Sequence, residues 1–170
     1  ALTSGANNVA VGYLALSTED TNGHNVAIGR KALQNLDAGV DAYNTAVGSS
    51  AGLSLTTGIY NNLIGGNAGS SLSSGTRNVA IGYNALQAED THGRNVAIGY
   101  QALLSQNAGA DGYNVAIGYN AGAETTTGIN NIIIGGLAGD EVSVVENADR
   151  VRNANIEKHK NYLRSKGCLL

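Results

Sequence analysis

The chain has 170 residues, 42% of them hydrophobic, yet it contains no Phe, Trp, Met or Pro, and all of its aromatic residues are Tyr. Since aromatic side chains dominate the packing of compact cores, this composition argues against a single globular core of this length. The net charge of −3 leaves no basic footprint for nucleic acid, and no apolar run reaches the roughly 18 residues that a membrane span needs.

One pattern occurs eight times within residues 1–139: Asn, then Val-Ala-Ile or a close variant, Gly, two variable residues, Ala, and Leu or Gly. Successive copies begin 17 or 19 residues apart, and the first four copies recur 70 residues later, since Asn78 minus Asn8 is 70. The sequence therefore predicts one repeat domain over 1–139, made of two tandem four-coil units at about 8–77 and 78–139. The copies begin at Asn8, Asn25, Asn44, Asn61, Asn78, Asn95, Asn114 and Asn131.

Each copy is typical of one coil of a parallel β-solenoid. In the run Asn-Val-Ala-Ile-Gly at 25–29, large and small apolar side chains alternate, which predicts a short strand with the large ones on one face. The Gly ends that strand, and Ala32-Leu33 is expected to form a second short strand or extended segment before a polar turn. The predicted fold class is an all-β solenoid, a parallel β-roll of eight coils.

The two faces of the predicted strand receive different roles. The large side chains, such as Val79, Ile81 and Leu86, are expected to fill the coil, and the repeated Asn to form a hydrogen-bonded ladder along the rod. Because such a core is thin, the small side chains are expected to pack against other copies around an axis, most simply in a closed ring. The alternative is a monomeric solenoid. The packing candidates are Ala10, Ala27, Ala46, Ala80, Ala97 and Ala116.

These repeats resemble two families of fibrous surface proteins. The Asn-Val-Ala-Ile-Gly runs at 25–29, 78–82, 95–99 and 114–118 resemble the head repeats of YadA-type trimeric autotransporter adhesins. The Tyr-Asn-Ala and Tyr-Gln-Ala that follow two of them resemble repeats of phage tail fibres. The resemblance implies a left-handed β-roll packed three to an axis, a homotrimer. Coils of 17 or 19 residues are longer than those of the adhesin heads, which favours the viral fibre.

Residues 140–170 differ in kind, because they hold eleven of the 23 charged residues. Asp140-Glu141 is typical of a helix start, and we expect a C-terminal helix from about 141 to 165. A loose heptad favours a short trimeric coiled coil, and the alternative is a single amphipathic helix folded back on the roll. The heptad positions are Val144, Ala148, Val151, Asn155 and Tyr162.

Residues that carry chemistry are few, and the sequence predicts no enzyme, no cofactor and no metal site. The three histidines, His24, His92 and His159, share no repeat position and are interpreted as loop residues. The adjacent acids Glu19-Asp20 and Glu89-Asp90 carry oxygens that Ca²⁺ accepts, but the repeat of calcium-binding β-rolls is missing, which favours solvated turns. Cys168 is interpreted as a free thiol, with a cross-link between chains as the alternative.

The expected function is that of a trimeric fibrous structural protein of a virion, of the phage tail fibre type, which projects from the particle and contributes to host attachment. Two alternatives remain: the head of an adhesin on a bacterial cell surface, and a structural virion decoration or shaft protein without a receptor. The expected partners are other copies of the chain, other virion or fibre proteins, and a host-surface receptor or glycan. Neither nucleic acid nor membrane insertion is expected.

Receptor contact is expected on the turns rather than on the strands, because loops carried by a rigid scaffold are where binding usually resides. The turns at 17–24, 34–43, 87–94 and 104–113 vary most in side chain. Tyr43 and Tyr113 each precede a strand after a two-residue insertion, and each would occur three times around a trimer. They are the candidates for receptor contact, and the alternative is that they cover apolar edges of the coils.

Overall fold

The computed structural model describes residues 5–18 and 23–139, and these residues form one parallel sheet of eight strands in sequence order. Each strand pairs with the next one along the chain at the same repeat position, so that Val79 lies opposite Val96. The helix expected at 141–165 and Cys168 lie outside the described residues. The strands are β1 Val9–Val11, β2 Val26–Ile28, β3 Thr45–Val47, β4 Asn62–Ile64, β5 Val79–Ile81, β6 Val96–Ile98, β7 Val115–Ile117 and β8 Ile132–Ile134.

Parallel pairing of consecutive strands means that the chain makes one complete coil between each strand and the next. The connections contain turns and no helix within the described ranges, and backbone hydrogen bonds join neighbouring coils outside the strands as well. Leu16 donates its N–H to the Ala32 carbonyl over 3.0 Å, for example. The all-β parallel solenoid expected from the repeats is therefore confirmed.

Glycine ends every strand because two features of the coil require it. Gly12, directly after β1, has a φ of +129°, which is unfavourable for residues with a Cβ. A Cβ at this position would also lie 2.6 Å from the carbonyl oxygen of Gly29 in the next coil. The same column of glycines continues through the solenoid, and it lets the chain turn sharply where successive coils are in backbone contact.

The expected second strand at Ala32-Leu33 is wrong. This part of the coil is a turn in which Lys31 and Leu33 have φ values of +62° and +47°. Leu33 nevertheless donates its N–H to the Ala51 carbonyl of the next coil over 3.0 Å. The coils therefore stay hydrogen-bonded through this corner, although its backbone is not extended.

The assignment of the two strand faces is also reversed. In the middle strands the central alanine is the buried residue: Ala80 and Ala97 are fully enclosed, whereas Val79 and Ile81 are only half-buried. The alanines face the interior because the coil is flat, and the space opposite them is occupied by leucines from the turns. Of the three predicted core residues, only Leu86 lies fully inside.

Two strands, β4 and β8, have a larger residue in place of the central alanine, and β4 shows how tightly the interior is filled. Leu63 occupies the alanine position of β4, fully buried. The turns beside it carry glycine where other coils carry leucine, and a Cβ on Gly52 or Gly69 would lie 2.8 Å from a Leu63 methyl group. A large residue in the strand is thus matched by small residues in the turns, which keeps the packing density constant.

A further interior position lies eight residues after the end of each strand, and we call it the corner column. Its residues are buried in every described coil, but they change from apolar to polar along the rod. The corner column consists of Leu36, Leu55, Leu72, Glu89, Gln106 and Thr125.

Candidate functional site

The outward side of the sheet is a largely apolar surface, which we call the valine–isoleucine face. Two rows of side chains form it, one from the first and one from the third residue of every strand, and none of the sixteen is buried. Thr45 and Asn62 are the only polar members, and none is charged. The third-residue row is Val11, Ile28, Val47, Ile64, Ile81, Ile98, Ile117 and Ile134.

This arrangement overturns the expected contact between chains through alanine. Five of the six candidates have no exposed surface within the single chain, so their side chains cannot contact another copy. Ala10 is exposed because it belongs to β1, and only one side of that strand is paired within the described sheet. The five enclosed candidates are Ala27, Ala46, Ala80, Ala97 and Ala116.

Sequence alternation could not decide between the two faces. A period of two places valine and isoleucine on one face and alanine on the other, but it is silent on which face points inward. The missing signal was in the turns, where leucines supply the bulk that fills each coil. Where the turn leucines occupy that space, the strand carries alanine, and only where the turns carry glycine does a larger residue such as Leu63 fit.

The eight repeated asparagines form a ladder along the rod, and seven of them are buried. The backbone N–H of each ladder Asn donates to the side-chain Oδ1 of the Asn one coil earlier, as from Asn61 to Asn44 over 2.9 Å. The side-chain amide then donates to a turn carbonyl, as from Asn61 to Gly75 over 2.9 Å. Most of the asparagines therefore join a strand to a turn, which is more than the amide-to-amide stacking that the repeats predict, and Asn95 is an exception because its buried Nδ2 has no partner.

The two receptor-contact candidates lie in one exposed column of side chains, each directly before an asparagine of the ladder. Tyr43 stacks on His24 with ring centroids 4.6 Å apart and on Tyr60 at 5.7 Å. Tyr113 lies beneath the guanidinium of Arg94, 5.2 Å from the ring centroid, and its hydroxyl accepts a hydrogen bond from that guanidinium. Both tyrosines are about half exposed, so each has a free ring edge on the surface.

A second aromatic column lies just after the strand-ending glycines. Tyr83, Tyr100 and Tyr119 stack in sequence, with ring centroids 5.7 and 5.1 Å apart, and all three are exposed. Sequence reasoning did not single out these residues, although tyrosine directly follows the strand-ending glycine in four coils, Tyr13 included, which was a usable signal. The two columns place aromatic and cationic groups on both sides of the valine–isoleucine face.

The turn that contains Glu89 and Asp90 is not the solvated turn expected from its sequence. Glu89 lies in the corner column and is fully buried, whereas Asp90 and His92 are half-buried. Burial raises the pKa of the Glu89 carboxyl, and the adjacent His92 opposes that rise. Glu19-Asp20, the equivalent pair in the first four-coil unit, lies outside the described residues.

Comparison with known protein families, curated proteins and solved structures finds no match to this chain. The likeness to adhesin heads and tail fibres therefore rests on the repeat sequence alone. Within the described ranges, no helix has the length and apolar character needed to cross a membrane.

Proposed function

We propose that this chain is a segment of a homotrimeric fibrous structural protein that projects from a virion and contributes to host attachment. The proposal combines the repeat resemblance with one structural observation, the valine–isoleucine face. In this proposal the copies contact one another through this face, and not through the five enclosed alanines.

The argument for association begins with the size and character of that face. Soluble monomers rarely expose contiguous apolar patches larger than several hundred Å². The valine–isoleucine face continues across eight strands, and at a strand spacing of about 4.8 Å it extends for roughly 34 Å. Burying it against two equivalent faces around a threefold axis removes the apolar surface from water in a closed assembly.

The argument for attachment rests on the columns beside the face. Stacked tyrosines and arginines on a rigid scaffold offer ring edges, hydroxyls and guanidinium groups to a partner. Threefold symmetry would present each column three times, so that weak individual contacts add through multivalency. A surface glycan, with apolar ring faces and many hydroxyls, fits such a lining.

The assembly is tested by sedimentation equilibrium of the full chain. We expect about 52 kDa, three times 17.3 kDa. Ile98→Lys, in the middle of the face, should give monomers because it places three lysines at the interface. Ser71→Lys, on an exposed turn, is the control and should leave the trimer intact. A stable monomer for the unmodified chain would remove the proposed trimer.

Attachment is tested with the double variant Tyr43→Ala, Tyr113→Ala. We expect a trimer that binds host cells or surface glycans more weakly, whereas Ser71→Ala, on an exposed turn outside both columns, serves as the control. Unchanged attachment together with a lower melting temperature would show that the tyrosines only stabilise the coils, and the function would then be that of a plain structural shaft.

A further inference from the structure

A carboxylate occupies an interior position where the three preceding described coils have leucine. Glu89 is the fourth described residue of the corner column and follows Leu36, Leu55 and Leu72. Its side chain has no exposed surface, and its Oε2 atom has no hydrogen-bond partner. Burying a polar group without a partner costs about 1–3 kcal/mol in proteins, and more when the group is charged. A hydrogen-bond donor or a cation next to Oε2 would remove this cost.

Two further metal-ligating side chains lie beside Glu89. One ligand atom from each of Glu89, Asp90 and His92 lies within 4.8 Å of the others. His92 Nδ1 is 3.8 Å from Glu89 Oε1, and the His92 backbone N–H donates to that same oxygen over 3.3 Å. Oε1 is thus oriented by the turn, whereas Oε2 remains free to bind.

The backbone of this turn is held by the coil before it. The Asp90 carbonyl accepts hydrogen bonds from the Ser73 backbone N–H at 2.6 Å and from the Ser73 hydroxyl at 3.0 Å. Thr91 Oγ1 lies 3.0 Å from His92 Nδ1 and restrains the imidazole. The three side chains are therefore arranged on a backbone that the preceding coil holds by hydrogen bonds, with their ligand atoms already within 4.8 Å of one another.

Neighbouring cations of the chain are engaged elsewhere. Arg94, two residues after His92, pairs with Asp111 at 2.6 Å. Among the ion pairs of the described residues, Glu89 takes part in one, and its partner is His92. Within residues 5–18 and 23–139, the two carboxylates thus form no ion pair with a lysine or arginine, and a divalent ion would balance their charge.

We propose that Glu89, Asp90 and His92 form a binding site for a divalent metal ion of the zinc class. The donor set is two carboxylate oxygens and one imidazole nitrogen, which are ligands that Zn²⁺ accepts. Ca²⁺ requires about six to eight oxygen ligands, and an imidazole does not serve it. Three protein ligands leave a fourth tetrahedral position for water.

The two four-coil units supply a natural comparison for this site. The turn Glu89-Asp90-Thr91-His92 corresponds to Glu19-Asp20-Thr21-Asn22 in the first unit, so the acids recur but the imidazole does not. The site is consequently assigned to the second unit alone, and His92→Asn converts its turn to the first-unit sequence.

The experiment is calorimetric titration of ZnCl₂ into the metal-stripped full chain, with Cys168→Ser in all samples to remove the thiol as a ligand. We expect one zinc ion per chain and a higher melting temperature with zinc, since binding to the folded state stabilises it. His92→Asn and Glu89→Leu should each weaken zinc binding at least about tenfold and abolish the rise in melting temperature. Glu19→Leu, the matched change in the first unit, should bind zinc like the parent.

The variants separate loss of binding from loss of folding. Glu89→Leu places leucine in a column that already holds three leucines, so the variant is expected to fold, which circular dichroism checks. Absence of zinc binding by the parent chain would overturn the proposal. Equal zinc affinity in His92→Asn, tighter binding of Ca²⁺ than of Zn²⁺, or weaker binding in Glu19→Leu would overturn it too. None of these outcomes depends on the assembly state of the fibre.

Discussion

The two four-coil units share their strands and their asparagine ladder, but they differ in the corner column. The first unit has Leu36 and Leu55 there, and the equivalent residues of the second unit are Gln106 and Thr125. All four are buried. Gln106 donates its side-chain N–H to the Gly128 carbonyl over 3.1 Å, but its Oε1 has no partner.

This difference shows which positions of the coil tolerate different side chains. Strand residues contact both neighbouring coils through the sheet, and most of the glycines that end the strands admit no larger group. The corner column accepts leucine, glutamate, glutamine or threonine, because a turn offers backbone carbonyls and N–H groups to a polar side chain. At this corner the second unit has polar side chains where the first unit has leucines, and the hydrogen-bonding groups of Gln106 are only partly paired.

The largest expected effect is at Leu63, one of the two large residues that replace the central alanine of a strand. Leu63→Ala should lower the free energy of unfolding by about 2–5 kcal/mol, because it opens a cavity that the glycines of two turns cannot fill. Ile133→Ala, the equivalent change in the second unit, should lower it less, because Ile133 closely approaches one such glycine, Gly122, and keeps slight exposure. Urea denaturation measures both. Equal losses would mean that the two units enclose this position equally.

The next effect concerns the polar corner. In metal-free buffer at pH 7, Glu89→Leu should raise the free energy of unfolding by about 1–3 kcal/mol, since it removes an unpartnered buried oxygen and restores the leucine column. Gln106→Leu is the matched change one coil further on and should stabilise in the same direction. Destabilisation by both would show that the second unit needs its polar corner.

The pH dependence has a definite sign. Burial raises the pKa of the Glu89 carboxyl above the ordinary value of 4.5, so the folded chain keeps a proton that the unfolded chain has released. This contribution to stability is fully present below pH 4.5 and is lost as the pH rises through the folded-state pKa. Glu89→Gln should remove that loss. Thermal unfolding from pH 4 to pH 8 with EDTA measures it, and identical profiles for the two proteins would contradict the assignment.

A smaller effect separates two rungs of the asparagine ladder. Asn61 makes two side-chain donor bonds and also accepts one from Asn78, whereas Asn95 accepts from Asn114 but its buried Nδ2 has no partner. Asn61→Ala should therefore destabilise the chain more than Asn95→Ala, by about 1 kcal/mol. If Asn95→Ala costs as much or more, the ladder stabilises the rod mainly through its Oδ1 acceptors.

The smallest effect compares the surface pairs of the two units. His24 lies 3.7 Å from Asp41, whereas Arg94 lies 2.6 Å from Asp111 at the equivalent place. His24→Arg should transfer the closer pair to the first unit and raise the free energy of unfolding by about 0.2–1 kcal/mol at low salt. The gain should shrink in high salt. A gain that is independent of salt would point to stacking on Tyr43 as its source.

Repetition carried most of the fold prediction. Eight copies of Asn-Val-Ala-Ile-Gly or a close variant, two spacings and a 70-residue duplication suffice to predict the coils, their parallel pairing and the asparagine column, because similar short units stack most readily in register. Exposure of Tyr43 and Tyr113 also followed from the sequence, since both precede strands at the end of polar insertions.

Only the tertiary structure decided which way each side chain points. Alternation along a strand is symmetric, so Ala97 inside and Ile98 on the surface could be told apart only by the leucines that already fill the coil. The burial of Glu89 could not be predicted for a similar reason, because the sequence of an acidic turn is the same whether its first acid points into the coil or into solvent. Local patterns determined the repeat, and the limited volume inside each coil determined what faces inward.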